Sequence, residues 1–239
     1  MIMKLIQLKQ VLDNKRFLLF TIFIPVAWYV FLYNIQQGIT PNLMLGIAVF
    51  IGIIGNSLAT FSKRISSNID FYSFESKFSK YTVKNYLLDQ TLVQLVLNTL
   101  IFIVVLAVGL IFFSFPLNSQ LVVQFSLLTI MGIYFSIIGF VIGVRLDEKI
   151  IDTVSFPVII LASMTIIPFA YLGAEGGFME FIGKAQMIFP GYYYTNIVNA
   201  LTTSTSIDVK DVALFIRVFI LNVIPLYFLV PKVKLATVK

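Results

Sequence analysis

Six long apolar runs divide the chain and constrain its fold more than any other feature. A helix needs roughly 20 apolar residues to cross a bilayer core about 30 Å thick. In lipid the backbone must satisfy its own hydrogen bonds, and a helix does so within each segment. The runs are continuously apolar rather than alternating, which argues against a membrane β-barrel. The predicted spans are residues 17–36, 43–61, 87–113, 121–144, 153–172 and 212–230.

Composition excludes several classes of protein. Of the 239 residues, 59% are hydrophobic and only 12% are charged, whereas roughly a quarter of a soluble domain is charged. A soluble monomer could not cover so much apolar surface, and a disordered chain would hold far less of it. The chain has no cysteine and no histidine, which excludes thiolate metal sites and Ser-His-Asp triads. We therefore predict an all-α polytopic membrane protein that is not an enzyme and holds no metal.

The basic residues predict the orientation of the spans. They fall on alternate sides of the six runs, so that fourteen of the seventeen lie on one side; the exceptions are Lys184, Lys210 and Arg217. By the positive-inside rule that side is cytoplasmic, and both termini lie there. The net charge of +6 therefore reflects topology and contact with anionic lipid, and we expect no nucleic-acid partner.

The N-terminal residues 1–16 form a separate feature. Leu5, Leu8 and Leu12 fall on one helical stripe with basic residues at its edges. Such a stripe is typical of an amphipathic helix that lies in the membrane interface. The alternative is a simple cluster of positive charge that orients the first span.

The cytoplasmic segment 62–86 carries an aromatic stripe. Phe71, Phe74, Phe78 and Tyr81 recur at i, i+3, i+7 and i+10, which is one face of a helix. An aromatic face outside the membrane needs something to cover it. Lipid headgroups, the underside of the bundle and the groove of a partner protein all remain possible.

The external segment 173–211 is too long for a bare loop in so compact a chain. Its apolar residues and the Pro190-Gly191 break predict two short helices that dip into the outer leaflet. Tyr192, Tyr193 and Tyr194 follow the break. Tyrosines favour the membrane interface, so we interpret them as anchors in preference to substrate contacts.

Small residues predict where helices approach each other closely. Gly139 and Gly143 stand four residues apart in the fourth span, and the second span has Gly52 and Gly55 within Ala48-xxx-Gly52 and Gly55-xxx-Ala59. This spacing permits close backbone contact between helices. Contacts within one chain are favoured over contacts between two chains.

The spans carry almost no ionisable residue. Asp89 and Arg217 lie near the ends of the third and sixth spans. Ion-coupled transporters usually keep ionisable groups in the middle of the membrane, so we expect no proton or sodium coupling.

Taken together, these features resemble a bacterial type-2 ABC exporter permease. The local match is Ile167-Pro168-Phe169, then Gly173, then Phe189-Pro190 with the tyrosines, then Ala200-Leu201. The resemblance covers essentially the whole chain. It implies a location in the bacterial cytoplasmic membrane, re-entrant helices between spans five and six, and a second permease chain that is identical or related.

The resemblance also implies how the chain is powered. A separate ATPase subunit, present in two copies, would hold ATP and magnesium and dock on a coupling helix at about residues 66–82. Alternating access between the two permease chains would then export a hydrophobic or amphipathic peptide, toxin, antimicrobial or drug. The implied docking residues are Phe71, Tyr72, Phe74, Glu75, Phe78 and Tyr81. The implied outer gate residues are Pro168, Gly173, Phe189, Pro190, Tyr192, Tyr193 and Tyr194.

A second function remains open. A membrane scaffold, an immunity protein or a sensor could share this composition and work without any ATPase. An adjacent reading frame with ATPase motifs would favour the exporter.

Overall fold

The computed structural model describes residues 15–35, 39–69, 83–167, 169, 176–203 and 208–229. Within these ranges the chain is helical apart from short turns and connections, and it contains no strand. The all-α prediction is therefore confirmed. The helices are α1 (Lys15–Leu18, Leu19–Phe23 and Ile24–Ile35), α2 (Pro41–Gly55, Asn56–Phe61 and Ser62–Ser67), α3 (Val83–Phe113), α4 (Gln120–Arg145), α5 (Glu148–Met164), α6 (Gly177–Gln186), α7 (Pro190–Thr202) and α8 (Val209–Leu229).

Four helices of the described part are long and apolar enough to cross a membrane. They are α2 over Pro41–Ser67, α3 over Asn85–Phe113, α4 over Gln120–Arg145, and α8 over Val209–Leu229. The apolar part of α1, Leu19–Asn34, is shorter. The predicted count of six spans therefore stays a prediction for α1 and α5.

Helix α2 is the centre of the bundle. Residues 42–62 of this helix are all buried, and the helix packs against α1, α3, α4, α5 and α7. A helix that is apolar on every side is expected in such a position. The other long helices expose apolar side chains on their outer faces, including Phe112 on α3, Phe156 on α5 and Phe228 on α8. These outer faces are the surface that lipid can cover.

Local sequence accounts for several helix boundaries. Pro41 begins α2 after an extended Thr40, and Pro190 begins α7 after an extended Phe189. Proline suits the first turn of a helix because its missing N–H would have no partner there. Gly176 precedes α6 with a φ of 121°, a conformation that favours glycine.

Two helices contain a π-helical turn, Leu19–Phe23 in α1 and Asn56–Phe61 in α2. The two helices meet beside these turns, because a Cβ at Gly55 would overlap the ring of Phe20. Well under 1% of residues adopt this conformation, and it is frequent at functional sites.

The outer segment contains the two predicted short helices. Helices α6 and α7 are joined by a turn at Met187–Phe189. The fifth span was predicted over 153–172, but helix α5 covers Glu148–Met164 and turns at Thr165. The re-entrant position of α6 and α7 in the outer leaflet stays a prediction.

Candidate functional site

Several predicted site residues lie outside the described residues. These are the six docking residues Phe71, Tyr72, Phe74, Glu75, Phe78 and Tyr81, the gate residues Pro168 and Gly173, and most of the N-terminal stretch 1–16. Their roles stay predictions. The structure does describe the helix that leads into the docking segment, the outer pair α6 and α7, and the four packing glycines.

The end of α2 that leads toward the docking segment is tied to α5. Lys63 Nζ lies 2.7 Å from Asp152 Oδ2 and 3.8 Å from Glu148 Oε2. Both partners are about one-third exposed or more, so the ion pairs contribute only about 0–1 kcal/mol. Ser66 Oγ also donates to the Leu146 carbonyl at 2.9 Å. These contacts set the position of the α2 end without rigidly fixing it.

Arg64 lies in the last turn of α2. Its guanidinium stands over the Phe61 ring, 5.1 Å from the ring centroid. All three guanidinium nitrogens are buried and have no hydrogen-bond partner among the described residues. Removing a charge from water without a partner is costly, so this position favours an anionic or polar group beside it.

The opposite end of the bundle is held by side-chain hydrogen bonds to backbone carbonyls. Gln186 Nε2 at the end of α6 donates to the carbonyls of Met164 and Ile167, at 2.6 and 2.8 Å. Asn222 Nδ2 of α8 donates to the Ile188 carbonyl at 3.0 Å. The turn between α6 and α7 is therefore bonded to both α5 and α8.

The predicted tyrosine cluster divides between buried and half-buried positions. Tyr194 is 0% exposed and Tyr193 is 8% exposed, while Tyr192 is half-buried. Pro190 is buried and Phe189 is half-buried. An anchor at the membrane interface does not describe Tyr194, because its ring packs against Phe50 of α2 and its hydroxyl contacts Gln124 of α4.

Tyr194 fits because α2 has a glycine opposite it. A Cβ at Gly46 would overlap the Tyr194 hydroxyl. Burial raises the pKa of the Tyr194 phenol above its ordinary value, and the hydrogen bond from Gln124 lowers it by less. Tyr194 therefore stays neutral near pH 7 and acts as a packing and hydrogen-bonding residue.

Tyr194 belongs to a buried polar network that sequence reasoning missed. Gln124 Nε2 donates to the Asn42 carbonyl at 2.7 Å, and Asn42 Nδ2 donates back to Gln124 Oε1 at 3.4 Å. Nearby, Gln120 Nε2 donates to the Leu201 carbonyl at 2.5 Å. The network connects α2, α4 and α7. Gln124, inside the predicted fourth span, was the available indication, since polar residues within a span usually find partners.

Substituting Gln124 by leucine should destabilise the protein. The change removes the hydrogen bonds from Gln124 to the Asn42 carbonyl and the Tyr194 hydroxyl and leaves the Asn42 amide only its bond to Asn118, so we expect a loss of about 1–2 kcal/mol. Thermal unfolding of the purified chain in nanodiscs measures it. Ser126→Ala is the control, because Ser126 is exposed and bonds only within its own helix. Equal melting temperatures for the two variants would show that the network is not stabilising.

The four predicted packing glycines all lie at contacts between helices of the same chain. A Cβ at Gly52 would come within 2.5 Å of the Pro25 ring of α1, and Gly55 also faces α1. A Cβ at Gly139 or Gly143 of α4 would overlap the backbone carbonyl oxygen of Ser57 or Ser62. Helices α1 and α4 therefore approach the central helix at backbone distance.

Comparison of the chain with protein-family models, with curated proteins and with solved structures finds no match. The described residues also contain no group of three acidic side chains that could hold a metal ion. The bundle has an apolar exterior, fully buried polar residues that are all uncharged among the described residues, and two ends that are joined by different contacts.

Proposed function

We propose that this chain is the membrane-spanning subunit of an ATP-driven exporter of the type-2 ABC permease class. The observation that supports it most is that charged side chains are absent from the middle of the described part of the bundle, since the buried Arg64 guanidinium lies in the last turn of α2. Among the described residues, the fully buried polar side chains in the middle of α2, α3 and α4 are all uncharged. Ser57, Gln94 and Asn98 are examples. Proton- or sodium-driven transporters usually keep ionisable groups at that depth. The energy for transport would therefore enter from outside the bundle.

In this proposal α1, α2, α3, α4, α5 and α8 all cross the membrane and both termini are cytoplasmic. Helices α6 and α7 would enter the outer leaflet and return. The surface of α6 supports an interfacial position, because Phe178 and Phe181 are 71% and 68% exposed beside an ion pair between Lys184 and Glu180. Exposed aromatic rings next to charged groups suit the boundary between lipid and water.

The proposed orientation can be tested with single cysteines, since the chain has none of its own. We expect Ser119→Cys, between α3 and α4, to react in intact cells with a membrane-impermeant maleimide. Lys149→Cys, at the start of α5, should react only after the cells are permeabilised. Both positions are exposed, so the contrast reports sidedness. Labelling of both from outside would refute the proposed topology.

The proposed mechanism places the power source at the cytoplasmic segment. Two ATPase subunits, holding ATP and magnesium, would dock at residues 66–82 of two permease chains. When the two ATPase subunits close on each other, they would draw the permease chains together. The path would lie between the chains, along α1 and α5, because α2 is buried at the centre of its own bundle. Helix α1 exposes an apolar face that includes Leu18, Ile22 and Phe23, with Lys15 at one end. Such a surface suits hydrophobic or amphipathic cargo.

A reconstitution experiment tests this function directly. The chain is placed in inside-out vesicles with and without an ATPase that is encoded beside it and co-purifies with it. We expect ATP-dependent uptake of an amphipathic peptide or a hydrophobic fluorescent dye only when both proteins are present. Uptake by the chain alone, or activity in cells that lack the ATPase, would instead favour the scaffold, immunity or sensor function.

A further inference from the structure

Asn98 is a buried side chain in the middle of α3 with an unused hydrogen-bond donor. The residue is 4% exposed, and its Oδ1 accepts a hydrogen bond from Gln94 Nε2 at 3.4 Å. Its Nδ2 has no hydrogen-bond partner among the described residues. Buried polar groups in native proteins are nearly always paired, with protein or with ordered water.

A cavity of about 10 Å³ lies beside this amide, between α2, α3 and α4. Measured as the space open to a water-sized sphere, one water molecule needs about 10–15 Å³. Val49 and Ile53 of α2 line its apolar side, and its polar groups are Asn98, Thr99 and Thr129. The cavity is therefore the size of a single water and is not wholly apolar.

The two threonines can complete the hydrogen bonds of such a water. Thr99 Oγ1 donates to the Leu95 carbonyl at 2.9 Å, and Thr129 Oγ1 donates to the Phe125 carbonyl at 2.8 Å. Each hydroxyl has thus used its proton and keeps lone pairs that can accept. A water could accept from Asn98 Nδ2 and donate one proton to each threonine, and two to four partners are typical of buried water.

Helix α4 leaves room for the amide of Asn98. Gly132 lies opposite, and a Cβ there would come within 2.6 Å of Asn98 Nδ2. Asn98 stands near the middle of Asn85–Phe113, and Thr129 stands near the middle of Gln120–Arg145. The unfilled donor, the cavity and both acceptors therefore share one depth in the bundle.

We propose that this cavity is a binding site for one ordered water, which joins α3 to α4 at the middle of the membrane. The water supplies the hydrogen bond that Asn98 lacks and links the two helices where lipid offers no polar partner. The proposal stands independently of the export function, because it uses only contacts within one chain.

The first test uses the unaltered chain in lipid bilayers. Asparagine side chains are labelled with ¹⁵N, and solid-state NMR measures transfer of magnetisation from water to them. We expect the Asn98 amide, assigned by the loss of its signal in Asn98→Leu, to receive transfer within milliseconds. The backbone amide of the buried Val105, observed in a second sample labelled with ¹⁵N-valine, should receive far less. No transfer to Asn98 means a dry or lipid-filled cavity and overturns the proposal.

The second test uses single cysteines, whose S–H stretch is observed by infrared spectroscopy. In D₂O, Thr99→Cys should convert from S–H to S–D at least ten times faster than Val105→Cys. Val105 is 0% exposed and belongs to the apolar core. It lies nearer the end of α3 than Thr99 does, so water that entered generally from the end of the helix would exchange the thiol at position 105 first. Equal rates overturn the proposal. If a cysteine variant does not fold, the NMR measurement on the unaltered chain decides.

Discussion

Replacing Gly139 by valine is expected to lower the melting temperature by about 6–12 °C, which corresponds to a loss of about 3 kcal/mol for a chain of this size. The reason is that α4 contacts α2 at this point through backbone atoms. A Cβ at Gly139 would overlap the Ser57 carbonyl oxygen and stand 3.1 Å from the Phe61 ring. A carbonyl within a helix cannot rotate away, so the two helices must separate.

The cost of that separation extends beyond one contact. The displaced segment is the π-helical turn Asn56–Phe61 of the central helix. This turn also contacts α5, and its Ser57 Oγ accepts from Gln94 of α3 at 3.4 Å. Moving it therefore disturbs packing against two further helices, which places the expected effect at the upper end of the range for overpacked cores.

The matched control for this prediction is Gly183→Val in α6. A Cβ there meets nothing within 4 Å, and valine costs slightly less than glycine inside a helix. We therefore expect an unchanged or slightly raised melting temperature in nanodiscs. If Gly139→Val melted at the same temperature as Gly183→Val, the close contact between α2 and α4 would be wrong.

The helical class and the close helix contacts could be predicted because both depend on local pattern. Apolar runs of membrane length predict helices, and glycines at spacings of four residues predict close approach. Gly139 and Gly143 both occupy such positions against α2. Which helix is central could not be predicted in this way, because all six runs are similarly apolar and burial depends on how they assemble.

The end of α5 shows a second limit of local pattern. Residues 165–172 continue the apolar run, yet the helix ends at Met164. The carbonyls of Met164 and Ile167 bond instead to Gln186, about 20 residues away. Tyr194 is similar, since its buried position depends on the space at Gly46 and on Gln124. Hydropathy describes the preference of a segment for lipid and contains no information about such distant partners.

The proposed docking of an ATPase subunit on residues 66–82 leads to the second prediction with a large expected effect. We expect Phe74→Asp combined with Phe78→Asp to weaken association with the partner ATPase by more than about 100-fold. Two aromatic residues at the centre of an interface contribute about 2 kcal/mol or more each, and each 1.4 kcal/mol changes affinity tenfold. Membrane insertion should be unaffected, because residues 62–86 lie outside every predicted span. Co-purification of the tagged chain with the ATPase, followed by ATP-driven uptake, measures both consequences.

The control for this prediction separates loss of the aromatic face from added charge. Ser73→Asp combined with Ser76→Asp adds the same charge to the same segment but at positions off the aromatic stripe. If a helix presents the stripe to a groove on the ATPase, this variant keeps most of the binding, since polar substitutions at the rim of an interface cost little. Equal loss in both double variants would indicate a general electrostatic effect. Normal co-purification and normal transport by the Phe74 and Phe78 variant would remove the docking role altogether, and the aromatic stripe would then be covered by lipid or by the bundle itself.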